Sequence, residues 1–237
     1  FRLKHRAMKQ PFPVFSRSQF LRGGTLFAIA IAFGLPAYAA DPYPSKPIKL
    51  VIPFPPGGPT DVMGRVVAKI LSDKLGESVV VENKPGAGGN LGTDAVAKAL
   101  ADGYTIGLAA VSSLAIAPSL YPKLPYDVKK DFTPITRVGI TKGAIVAHPS
   151  VPFNDIKGLV AYAKANPGKL SYGSSGVGTA NHLAGEMLEA TAGIDMVHVP
   201  YKGTAPLTQD LLGGQVPMSV ESSLTSAGPN VKEGKLK

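Results

Sequence analysis

The chain has 237 residues, 44% of them hydrophobic and 17% charged, which is enough apolar content for one or two packed domains. Its formal charge of +9 is front-loaded: residues 1–40 hold six Lys/Arg and no acid, and residues 41–237 carry 19 Lys/Arg against 16 Asp/Glu, a net of only +3. That balance lacks the footprint of a nucleic-acid partner. With no cysteine in the chain, disulfides, thiolate metal sites, cysteine nucleophiles and lipid-modified cysteines are all excluded.

The first forty residues read as an export signal. Basic residues precede the apolar run Leu26 to Leu35, and Ala37-Tyr-Ala39 is a small-x-small cleavage site, so residues 1–39 are expected to be removed near Ala39. The apolar run is short for a membrane span, although a retained anchor is the competing reading. Met8 is the expected initiator. Ser16 to Arg22 is similar to a twin-arginine signal, but Ser18 stands where the second arginine belongs, which favours the general secretory route. The mature protein is expected outside the cytoplasm.

Beyond the signal, strand and helix alternate. The pattern predicts a strand over 48–54, a helix over 61–75 stopped by Gly76, a strand over 78–82, a helix over 90–101 and a strand over 105–110. A connector punctuated by Pro118, Pro122, Pro125 and Pro134 leads to a predicted strand over 135–148. The alternation then resumes: a helix over 155–166 capped by Asn154, strand 170–174, helix 179–192, strand 196–199, helix 205–212 and strand 216–220. The fold class is α/β, with two lobes (40–140 and 141–237), each a mainly parallel sheet flanked by helices.

Two segments end a strand in a glycine-rich loop that opens onto a helix. The first is Pro53-Phe-Pro-Pro-Gly-Gly-Pro-Thr-Asp61, where Thr60 or Asp61 can cap the helix; the second is Gly173-Ser-Ser-Gly-Val-Gly-Thr179. Helix N-termini carry unpaired N–H groups and partial positive charge, and glycine lets a ligand approach the backbone. Facing each other, the two loops would clamp an anion. The second loop is not a Walker loop, since no Gly-Lys-Ser/Thr follows, nor a dinucleotide fingerprint, since its glycines fall as G-x-x-G-x-G. Val177 also breaks a nucleophile elbow around Ser175. Pro85-Gly-Ala-Gly-Gly-Asn90 reads equally as a tight turn or a ligand loop, and Tyr201-Lys202 reads by default as a solvated turn. His148, His182 and His198 show no metal-ligand spacing, so neither metal nor cofactor is expected.

These residues resemble the tripartite tricarboxylate transporter receptors, the Bug family of periplasmic solute-binding proteins. The resemblance rests on Tyr43-Pro-Ser-Lys-Pro-Ile48, the Pro53–Asp61 loop, Val80-Val-Glu-Asn-Lys-Pro-Gly-Ala-Gly-Gly89 and Lys130-Asp-Phe-Thr-Pro-Ile135. Further along it rests on Pro167-Gly-Lys-Leu-Ser-Tyr-Gly-Ser174, His198-Val-Pro-Tyr-Lys-Gly203, Asp210-Leu-Leu-Gly-Gly-Gln-Val216 and Lys232-Glu-Gly-Lys-Leu236. It implies a Venus-flytrap receptor, monomeric and without enzymatic activity. Such a receptor captures a small carboxylate (a dicarboxylate, aromatic acid or amino acid) for the membrane components of a tripartite tricarboxylate transporter. It further implies carboxylate binding by Phe54, Gly57, Gly58 and Asp61 on one lobe. On the other lobe it implies Ser174, Ser175, Gly178, Thr179 and His182, with Ser112, Ser113, Glu221 and Ser222 as secondary candidates. Family members run further than Lys237, so an incomplete first lobe, with impaired stability and binding, is the corresponding expectation. Two other functions compete: a secreted hydrolase using Ser175 or Ser174 with His182, and a ligand-dependent periplasmic signalling adaptor.

Overall fold

The computed structural model describes residues 42–237, so the signal segment lies outside the described residues. The first lobe is built on three parallel strands, β1 (Ile48–Ile52), β2 (Val79–Asn83) and β3 (Thr105–Gly107), in the order β2-β1-β3. β1 is central and almost wholly buried, which explains its near-continuous apolar sequence. Pro53 lacks the N–H needed to continue the ladder, so the strand stops two residues short of the predicted end.

Helix α1 (Pro59–Leu75) starts two residues before the predicted position. Gly58 is its N-cap, Pro59 supplies the fixed φ of a first helical residue, and neither Thr60 nor Asp61 caps it. Gly76 ends it in the left-handed conformation at φ 75°. Its buried face packs Ala68 with Leu50, Ile52 and Leu108. A three-residue 3₁₀ turn, Ala87–Gly89, then leads into α2 (Asn90–Ala97). Ser112–Ile116 forms one π-helical segment that runs into α3 (Ala117–Leu120).

The predicted strand over 135–148 shrinks to β4 (Ala144–Ala147). It pairs antiparallel with β7 (Met218–Glu221), where Ala144 opposes Glu221 at the end of the ladder, and Ala147 exchanges two backbone hydrogen bonds with Lys237. Upstream, Ile135 and Ile140 are about four-fifths exposed (80% and 76%), with no strand or core against them among the described residues. Apolar content alone therefore overextended this strand.

The second sheet has the order β4-β7-β5-β6, with β5 (Ser171–Ser174) parallel to both β6 (Val197–Pro200) and β7. Helices α4 (Ile156–Ala165) and α5 (Ala180–Ala192) cover one face over a core centred on Tyr172, Leu159 and Met218. Helices α6 (Thr204–Leu212) and α7 (Gly228–Lys232) flank the other, over Leu207, Leu211, Val146 and Leu236. Two bare positions let the layers approach: a Cβ on Gly185 would enter the Tyr172 ring, and one on Gly173 would enter Leu207. Asp155, not Asn154, caps α4, accepting from the Gly158 N–H at 2.7 Å. Asn154 instead accepts from the Lys237 ammonium.

Candidate functional site

In parallel sheets the loops that leave strand C-termini gather on one edge. That edge of the first lobe carries the Pro53–Gly58 loop and the Gly86–Gly89 loop; that of the second carries residues 175–179 and 200–203.

The first loop is held from beneath by Asp61. Its carboxylate accepts from the Gly57 N–H (3.0 Å), Arg65 Nε (2.9 Å) and Asn83 Nδ2 (2.8 Å), and Asn83 also donates to the Phe54 carbonyl. The β1–β2 register, which sets Asn83 opposite Ile52, delivers that amide. Burial works to raise the Asp61 carboxyl, but the bonds from Arg65, Gly57 and Asn83 outweigh it and hold it below the ordinary aspartate value. Asp61 thus braces the loop from a position 3% exposed. Gly58 is a buried cap, and Gly57 borders a separate recess of about 350 Å³ with Val62, Ala205 and Gln209. The Gly86–Gly89 loop is braced likewise: Ser112 Oγ donates to the Gly88 carbonyl (2.7 Å) and Thr93 Oγ1 to that of Gly89. Ser113 is fully buried and bonds the Ala110 carbonyl.

The second loop spends its N–H groups alternately. Gly176 N–H donates to Ser174 Oγ (3.1 Å), Gly178 N–H to His182 Nδ1 (3.3 Å), and Thr179 N–H to the Gly176 carbonyl (3.3 Å). The N–H groups of Ser175 and Val177 have no acceptor among the described residues. Thr179 caps α5, its hydroxyl accepting from His182 N–H while donating to Gly176. Beneath lies a pair of imidazoles, His182 and His198, with ring centroids 4.1 Å apart. His198 Nε2 is 2.6 Å from the Ser174 hydroxyl, and its ring stacks on Tyr172. Burial first, then the neighbouring His182, pushes His198 below the ordinary histidine value. The histidine that contacts Ser174 is therefore His198, not His182, and this serine is wholly enclosed by protein.

Between the loops lies a cleft of about 240 Å³. Of the residues the sequence nominated, Phe54 and Ser175 line it. Gly57, Gly58, Asp61, Ser112, Ser174, Gly178, Thr179 and His182 position the loops around it instead. Glu221 is separate again: it sits at the end of β7, 2% exposed, with one bond from Ser219, and burial pushes its carboxyl up to about 7. Ser222 beside it is exposed. The remaining lining comes from Gly86 to Gly89, Tyr121, Gly176, Val177, Pro200, Tyr201 and Lys202. All but Tyr121 sit just past or at the end of a strand, a signal that would have singled out both the Gly86 loop and Tyr201-Lys202.

The comparisons with known proteins agree with this architecture. Residues 63–237 match the Tripartite tricarboxylate transporter family receptor. The chain belongs to that family. BugT of Bordetella pertussis is 42% identical over 200 residues, covering 84% of this chain and 61% of the relative. The periplasmic binding protein BugD superposes with a TM-score of 0.74 at 42% identity, covering 82% of this chain and 64% of that one. MatC from Rhodopseudomonas palustris, solved with bound malate, gives a TM-score of 0.77 at 31% identity, covering 82% and 66%. The fold of this family receptor is the α/β fold of periplasmic binding proteins. The chain spans about three-fifths of the length of the curated relatives it matches, 61% for BugT.

Proposed function

We propose that this chain belongs to a periplasmic receptor that captures a small organic carboxylate between its two lobes. The receptor acts as a monomer and presents its ligand to the membrane components of a tripartite tricarboxylate transporter. One observation carries the reading: the cleft is lined from both lobes, and in the second-lobe loop the N–H groups of Ser175 and Val177 have no acceptor among the described residues. Two unpaired donors at the start of a capped helix suit an anion. Capture and release then follow from differential contact, because a ligand touching both lobes favours the arrangement that brings them together. Malate in MatC supports the ligand class. No bond is made or broken in this role.

The test is calorimetric titration and thermal shift of the full-length receptor with dicarboxylates, aromatic acids and amino acids. Saturable binding with a raised midpoint is expected for at least one carboxylate. Failure of every one to bind overturns the reading. The Ser174 form of the hydrolase reading has no support, since Ser174 bonds His198 and is enclosed, and no hydrogen bond joins the Ser175 hydroxyl to His182 among the described residues.

A further inference from the structure

We propose that the imidazole pair beneath the second-lobe loop is a one-proton latch: a proton on His182 unfastens the Gly178 N–H and leaves the Gly176 N–H fastened. The device lies beyond the receptor reading and needs no ligand to operate.

The loop is held at two alternate amides, each by one side chain. Gly178 N–H donates to His182 Nδ1 at 3.3 Å, and Gly176 N–H donates to Ser174 Oγ at 3.1 Å. The first acceptor is a titrating nitrogen and the second is a hydroxyl. His182 spends the lone pair of Nδ1 on Gly178, so the neutral ring has Nε2 protonated and only Nδ1 left for a second proton. That proton turns the acceptor into a donor, and two N–H groups then point at each other. The Gly178 bond is lost. The loop's unpaired amides rise from Ser175 and Val177 to include Gly178 as well.

The other fastening survives a change of charge. His198 Nε2 lies 2.6 Å from Ser174 Oγ, whose hydrogen has a second acceptor in the Gly176 carbonyl at 3.2 Å. Beside a neutral ring the hydroxyl donates to Nε2; beside a charged one Nε2 donates and the hydroxyl turns to the carbonyl. In both states Ser174 Oγ keeps a lone pair for the Gly176 N–H.

The surroundings place the proton on His182. The ring centroids are 4.1 Å apart, so a charge on one ring opposes a charge on the other. Glu186 lies 3.4 Å from His182 Nε2, and among the described residues no lysine or arginine pairs with that carboxylate. His198 instead stacks on Tyr172, and burial pushes it below the ordinary histidine value. The groups facing the pair come from three sides. Helix α5 brings Glu186 and Glu189, and Asp195, just before β6, acts on Glu189 together with Glu186 and His182. Strand β5 brings Tyr172, whose hydroxyl donates to Glu186 at 3.0 Å. From the first lobe, the Tyr121 hydroxyl lies beside Gly178. None of these is a cation, so one imidazolium is the charge that answers the carboxylates.

The experiment is amide hydrogen exchange, resolved to single residues, on the ligand-free full-length receptor at pH 8 and pH 5. Each rate is divided by that of an unstructured peptide at the same pH. Gly178 should lose protection about tenfold at pH 5, the worth of one hydrogen bond, while Gly176 keeps its own. His182→Asn supplies an acceptor that does not titrate and should keep Gly178 protected at both pH values. His198→Gln should leave the Gly178 response in place. Equal Gly178 protection at the two pH values overturns the proposal, as does a response that survives His182→Asn, one that vanishes in His198→Gln, or a matching loss at Gly176. Each of these outcomes leaves the receptor reading standing, and failure of every carboxylate to bind leaves the latch standing.

Discussion

Glu221 is the residue whose charge is most at odds with its surroundings. Its carboxyl has one hydrogen-bond donor, Ser219, and one oxygen with no partner, and it titrates at about 7 in place of 4.5. Between those two values the folded chain holds a proton that the unfolded chain has released. Stability is therefore complete below pH 4.5 and is lost as pH rises through 7. Glu221→Gln should remove this slope and raise the stability above pH 7, by about a few kcal/mol at most. Urea melts of both proteins at pH 5 and pH 8 check this, and equal pH dependence in the two would refute it. His198 slopes the other way: with its proton affinity lowered by burial, it costs stability as pH falls below 6.5. Asp61 makes a different prediction. Asp61→Ala strands the Gly57 and Asn83 donors, and should cost about 2 kcal/mol of stability, since each unsatisfied buried group costs roughly 1–3 kcal/mol. Chemical denaturation measures it.

At the scale of elements, the α5 N-terminus is the best-defined piece of the site. Thr179→Ala removes the cap and should cost about 1 kcal/mol, readable as a lowered melting temperature. Much of this element was legible in sequence: a glycine cluster, then threonine, then an apolar helical period. Which N–H groups are left without an acceptor among the described residues was not legible. That depends on His182, four residues on, and on a Ser174 hydroxyl fixed by His198 from another strand. The same gap explains Asp61, whose sequence position beside a helix start suggests ligand contact. Arg65 follows from the i,i+4 spacing of the helix, but only strand pairing reveals that Asn83 also reaches it. The 135–148 segment failed in the opposite direction, because only Ala144–Ala147 of that apolar run meets a partner strand among the described residues.

At the scale of the molecule, the lobes meet through bare backbone. A Cβ on Gly203 would lie 2.6 Å from Pro55 Cδ, one on Gly178 2.6 Å from Leu120 Cδ2, and one on Gly88 2.9 Å from the Val177 carbonyl oxygen. Gly88→Ala should therefore hold the lobes apart and weaken carboxylate binding at least tenfold, about 1.4 kcal/mol. Gly76→Ala is the matched control. Its φ of 75° carries similar left-handed strain to the 64° of Gly88, but its Cβ meets nothing within 4 Å. Equal loss of affinity in the two variants would show that strain, not contact between lobes, is responsible. Scattering of the ligand-saturated proteins reads the separation directly.

The imidazole pair behind the second loop has a use of its own. Because Gly178 donates into His182 Nδ1, the neutral ring carries its hydrogen on Nε2, facing Glu186 at 3.4 Å. A shift of the Ser175–Gly178 backbone alters that donation to His182 and, through Ser174, the hydrogen bond to the adjoining His198. Nitrogen resonances of these two side chains in the 15N-labelled protein thus form a native spectroscopic gauge of how the jaw sits, one that needs no change at the cleft surface.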